Sequence, residues 1–119
     1  MSVFDGGESA SRIGEAEQDV EAAGQALARA QKLARLAVRR SVEAARAAEA
    51  DLAYKLAAED YAAEREKNAQ AALDSGMASR ADLRAAQILL GSARLDRLLA
   101  QYTREEALAD IARLTGERL

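Results

Sequence analysis

The sequence predicts an all-α fold, a long antiparallel coiled-coil-like helical hairpin. Three observations carry this. Ala supplies about a quarter of the 119 residues, far above its average share, Pro is absent, and one Gly-marked break separates two helical stretches. Ala forms helix at almost no cost in side-chain entropy but removes little surface from water, so it favours long helices packed through small residues over a compact core. Without Pro, nothing in the chain obliges a helix to kink.

The elements follow in order. Phe4-Asp5-Gly6-Gly7 reads as a turn, because two glycines tolerate positive φ. A helix is then expected over about residues 8–73. Ile13, Val20 and Leu27 recur every seven residues, with Ala16, Ala23 and Ala30 between them. Further on, Leu36, Val38, Val42, Ala45, Leu52 and Leu56 drift around the helix, as for a nearly straight helix with more than one neighbour. Gly14 and Gly24 each cost up to ~1 kcal/mol of helix propensity while permitting close backbone approach.

The helix ends where Leu73-Asp74-Ser75-Gly76 supplies a glycine for a left-handed cap. After a tip turn over about residues 74–79, Ser79-Arg80-Ala81-Asp82 fits a capping box. The second helix is expected over about residues 80–114, closing at Thr115-Gly116. Its large apolar residues form two stripes, Leu83 with Leu90, and Ile88 with Leu95, Leu99 and Tyr102. One stripe suffices for a two-helix pair, so two stripes imply neighbours on both sides.

At 1.5 Å per residue the helices would measure about 100 Å and about 52 Å. The second then covers only the half of the first nearest the turn. Roughly 30 residues, Glu8 to about Ala37, are left without a partner in the chain despite Ile13, Val20, Leu27 and Leu36. Missing chain, identical copies or another protein are the candidates to cover them.

Composition excludes several function classes. There is no Cys and no His, so disulfides and the usual zinc or haem ligation are ruled out, and no cofactor or metal is expected. A net charge of −3 argues against nucleic acid as a partner. Met1-Ser2-Val3-Phe4-Asp5 lacks the basic start and apolar stretch of a signal peptide. No apolar run approaches the ~20 residues of a membrane-spanning helix. No nucleophile–base pair, acid pair or phosphate loop is grouped for catalysis, so no catalytic residue and no enzyme is expected.

Four segments together resemble the outer-membrane efflux channels of the TolC type. Phe4-Asp5-Gly6-Gly7 before an Ala-rich helix is similar to the family segment that leaves the last barrel strand. The stretch from Ala69 through Gly76, Asp82-Leu83 and Ala86-Gln87 resembles its tip motif. Leu89-Leu90, Ala93-Arg94-Leu95 and Tyr102 continue it, and Leu114-Thr115-Gly116 resembles its closing segment. The four occur in the family's order over nearly the whole chain.

The resemblance implies a trimeric channel, a β-barrel in the outer membrane continued by an α-barrel through the periplasm. It implies that residues 1–119 are one periplasmic hairpin of that channel's C-terminal repeat. Barrel strands, the first repeat and a signal peptide are not in this sequence, so a piece of a channel or a stand-alone relative is expected. The implied partners are further copies of the protomer, a periplasmic adaptor and an inner-membrane pump. Ser75, Gly76, Met77, Ala78 and Ser79 would form the adaptor contact by the same resemblance, or serve only as caps of an ordinary turn. Asp82 is a candidate pore-facing acid, although its role as a cap is explanation enough. Some relatives carry a second acid where this chain has Ala85, which puts a carboxylate gate in doubt.

Other residues read more plainly. Arg29, Lys32, Arg35, Arg39, Arg40 and Arg46 read as a solvated basic face. Glu8/Arg12 and Asp51/Lys55 are spaced for ion pairing along a helix. Tyr54, Tyr61 and Tyr102 read as packing residues with the hydroxyl at the rim. The alternative to a channel segment is a stand-alone coiled-coil hairpin that self-associates or binds another helical protein without a channel.

Overall fold

The computed structural model describes the backbone of residues 2–116 and the side chains of residues 7–116. Two helices account for them, α1 (Ser2–Asp74) and α2 (Arg80–Thr115), with no strand among the described residues. The all-α hairpin expected from composition and breaks is the observed fold. Element ends agree with expectation except at the start. Phe4-Asp5-Gly6-Gly7, read as a turn, has helical backbone within α1. Each residue added to a helix gains a backbone hydrogen bond, whereas a glycine costs at most ~1 kcal/mol. The glycines with positive φ are Gly76 and Gly116, both at helix ends.

By its contacts the chain divides into Met1–Ala37 and Val38–Leu119. In the first unit every described side chain is exposed except at Gly14 and Ala37, which are half-buried. Ile13, Val20, Leu27, Leu33 and Leu36 are all open to solvent, as the helix lengths require. Gly14 and Gly24 have nothing within 4 Å of where a Cβ would stand, so no close helix approach uses them within the chain.

The second unit holds the core. Buried and half-buried positions on α1 recur at seven-residue spacing, through Ala45, Leu52, Glu59 and Glu66 and through Ala48, Lys55, Ala62 and Ala69. On α2 they run through Leu83, Leu90, Arg97, Arg104 and Ile111 and through Ala86, Ala93, Ala100 and Ala107. The seam is therefore an antiparallel heptad seam in which small and large side chains interleave. Leu90 packs with Ala62 and Ala93, and Ile111 packs against Ala45, Ala48 and Ala107. Alanine at the contact lets the helix axes approach closely, toward the low end of the usual 8–10 Å. The drift read along Leu36 to Leu56 is thus replaced, over the paired half, by a fixed seam. Leu56 stays outside it, exposed.

Charged residues set the register. Glu59, half-buried, receives both Arg97 and Arg94 across the seam, the latter at 3.7 Å. Closer to the open end Arg104 donates to Glu49 at 3.1 Å. Sequence spacing misses both pairs, because it sees only neighbours along one helix. Of the pairs it proposes, neither Glu8/Arg12 nor Asp51/Lys55 is among the ion pairs of the described residues. Lys55 instead lies over the Tyr54 ring, 5.6 Å from its centre.

Candidate functional site: the helix tip

The tip joins α1 to α2 through Ser75–Ser79, and its backbone groups are accounted for one by one. Gly76 takes φ 77°, the left-handed conformation that stops α1. Its amide donates to the Leu73 carbonyl at 3.0 Å, and the Met77 amide donates to the Ala72 carbonyl at 2.8 Å. This is the Schellman arrangement, and it satisfies carbonyls that the helix end would otherwise leave open. The Ser75 hydroxyl and the Ala78 amide also donate to Ala72, at 3.1 and 3.2 Å.

Ser79 then opens α2 with extended backbone (φ −92°, ψ 165°). The Asp82 amide donates to the Ser79 hydroxyl at 3.2 Å, and the Ser79 amide donates to the Asp82 carboxylate at 2.9 Å. The capping box read from Ser79 and Asp82 is therefore formed in both directions. The Ser79 backbone amide, and after it the Ser79 hydroxyl, hold the Asp82 carboxyl below its ordinary value of 3.8. Asp82 thus stays ionised at neutral pH while one carboxylate oxygen is committed to the cap.

With both helix ends closed by local bonds, the tip is a preformed surface. The Schellman motif often tucks the residue after the glycine against the helix it ends. Met77 does not do so: it is 87% exposed. Ser75, Gly76 and Ser79 are also exposed, and Ala78 is half-buried. A shallow open groove runs beside the turn, lined by Arg65, Ala69, Ala78, Asp82 and Ala85. Ala85 makes part of that groove apolar. The structure thus brings all six sequence-picked residues into one exposed end, with Arg65 added from the preceding helix. Arg65 could have been found from its position three turns before Gly76, but only the fold places it beside Asp82 in the groove.

Outside the tip, α2 carries the second stripe expected of it. Leu90 is buried and Leu83 half-buried, whereas Ile88, Leu95, Leu99 and Tyr102 face solvent. Tyr54 and Tyr61 are exposed as well, so none of the three tyrosines belongs to the buried seam of the hairpin. Their heptad spacing places them off the inner face, where Arg65 lies over the Tyr61 ring at 5.9 Å. The basic side chains from Arg29 to Arg46 are exposed, in keeping with a solvated face. Among the described residues no helix is long and apolar enough to cross a membrane, and no acidic cluster could hold a metal ion.

A family model described as Outer membrane efflux protein matches residues 1–117. No curated protein and no solved structure matches the chain. The match takes in the Phe4–Gly7 segment, the tip and the closing Leu114-Thr115-Gly116 together, and the family is one of efflux channels, not of enzymes. With a family model matching nearly the whole chain, the chain belongs to the outer membrane efflux protein family.

Proposed function

We propose that residues 1–119 form a periplasmic hairpin of a TolC-like outer-membrane channel, in which three protomers complete an α-barrel. At the tip, Ser75, Gly76, Met77, Ala78 and Ser79 dock a periplasmic adaptor, with an inner-membrane pump below. The observation that carries this reading is the family match over residues 1–117. The exposed stripes support it, because Ile88, Leu95, Leu99 and Tyr102 on α2 suit helices beside the hairpin. The tip supports adaptor docking: a turn closed by its own hydrogen bonds presents Met77 without loss of order on binding, and Met is adaptable at contact surfaces. Asp82 serves as cap and adds a fixed negative charge beside the turn. With Ala85 one turn on, it acts alone and not as half of a carboxylate pair.

The test uses the absence of native cysteine. Met77→Cys and, as a control on the outer stripe, Leu99→Cys are each treated with a bifunctional thiol–amine reagent and a purified adaptor hairpin. The reading expects adducts at Met77 and few at Leu99. Equal yields at the two positions, or none at Met77, would refute tip docking.

A further inference from the structure

Sulfur is scarce in this chain. It holds no Cys and two methionines, Met1 and Met77. Thiols and thioethers are the side chains that peroxides and hypohalous acids oxidise most readily. Among the described residues Met77 is the only such group, and it stands in the tip turn. It is also the most exposed of the large apolar residues described, whereas Leu73 and Leu83 on either side are half-buried. Its companions in the turn, Ser75, Gly76, Ala78 and Ser79, carry small side chains. The apolar contact that the turn offers a partner is therefore mostly the Met77 thioether.

The turn itself does not depend on that side chain. The Met77 amide donates to the Ala72 carbonyl, Gly76 supplies the left-handed residue, and the Ser79–Asp82 capping box opens α2. The apolar tuck that often accompanies a Schellman end is not made, because Met77 points away into solvent. Chemistry at its sulfur leaves the caps in place.

Resting on the docking reading of the tip, we infer that Met77 is an oxidation-sensitive switch, whose sulfoxide keeps the turn but does not dock. With hydrogen peroxide, a sulfur lone pair attacks one peroxide oxygen, the O–O bond breaks, and after proton transfer the other oxygen leaves as water. Sulfur is oxidised by two electrons and the peroxide is reduced by two. A polar, chiral sulfoxide then replaces the apolar thioether. Its oxygen holds water by hydrogen bonds, and docking on an apolar contact strips that water without replacing it. A sulfoxide reductase supplied with thiol reverses the change: two thiols become a disulfide, and the sulfoxide oxygen leaves as water. A docked partner covers the same sulfur, so docking and oxidation exclude each other.

The test treats the full chain with hydrogen peroxide, locates the sulfoxide by mass spectrometry of peptides, and measures binding to the purified adaptor hairpin before and after. Oxidation at Met77 is expected to weaken binding by about tenfold or more. Helicity by circular dichroism should not change, and reductase with thiol should restore binding. Met77→Leu keeps an apolar side chain of similar size with no sulfur, so peroxide is expected to leave its binding as it was. Met77 in a chain saturated with the adaptor hairpin is expected to oxidise several-fold more slowly than in the free chain. A sulfoxide at Met77 that binds as tightly as the thioether overturns the inference and leaves tip docking standing. A chain that binds neither before nor after treatment sinks both. Equal loss in Met77→Leu assigns the effect to another residue, and a fall in helicity assigns it to unfolding. Either result overturns the switch, as does an oxidation rate that the bound hairpin leaves unchanged.

Discussion

Replacing Leu90 by Ala tests whether the hairpin is held by its thin seam. Leu90 is 4% exposed and, among the described residues, the one large residue at the buried positions, which are otherwise alanines. Removing a buried Leu side chain from its setting costs about 1.5–3 kcal/mol in transfer alone, and Leu→Ala in protein cores costs about 2–5 kcal/mol. Ala62 and Ala93, which line the site, are too short to refill the gap. The seam is one layer deep, however, and its flanks admit water, so the cost belongs near the low end, about 2–3 kcal/mol. A unit the size of Val38–Leu119 has on the order of 4–12 kcal/mol of stability in all, so roughly a sixth to three quarters would be lost. Urea unfolding followed by circular dichroism at fixed protein concentration measures the change as a shift in midpoint at constant slope. Leu99→Ala, at a position 57% exposed, is the control and should stay within about 0.5 kcal/mol of the parent. If the two variants lose the same amount, the seam drawn through Ala62, Leu90 and Ala93 does not hold the helices together.

Three further outcomes follow from the tip and the ion pairs. Gly76→Ala places a Cβ in open space but at φ 77°, so the expected loss is backbone strain alone, about 1–2 kcal/mol by urea unfolding; a neutral or stabilising result would contradict the left-handed cap. The Asp82 carboxyl is held below its ordinary value in the fold, so its contribution is present above about pH 3.8 and is lost as pH falls through the folded value. The protection of the tip amides, taken relative to their intrinsic exchange rate at each pH, should therefore fall on acidification in the parent and change less in Asp82→Asn, and identical profiles would dismiss the cap. Glu59→Gln leaves Arg94 and Arg97 without their shared carboxylate at a half-buried position, with an expected loss of about 1 kcal/mol that shrinks in high salt. A loss independent of salt would point to packing instead of charge.

Much of the site was legible before the fold. Gly76, Ser79 and Asp82 announce the turn because caps are local: each acts on backbone groups within a few residues, and sequence order alone places it. The second stripe on α2 was legible for a similar reason, since Ile88, Leu95 and Tyr102 are large enough to mark a face. The register of the hairpin was not. Alanine occurs on every face of α1, so its apolar character carries no period, and nothing local tells Ala62, at 1% exposure, from its exposed neighbour Ala63. Glu59 and Arg97 are hidden from a hydrophobic pattern altogether, because charged residues at seam positions look like surface until the opposite helix supplies the partner.

Phe4-Asp5-Gly6-Gly7 shows the reverse failure, a local turn signal overridden by helix propagation. By itself the sequence determined two helices, their junction at Gly76 and the surplus of apolar surface along the first, because propensity and capping are short-range properties of the chain. Which alanines lie inside, which acid meets which arginine and which tyrosines stay outside were decided only when α2 came back along α1. Those are properties of pairing, and two nearly smooth, Ala-rich surfaces acquire a register only from the turn that joins them and the few large or charged side chains that cross between them.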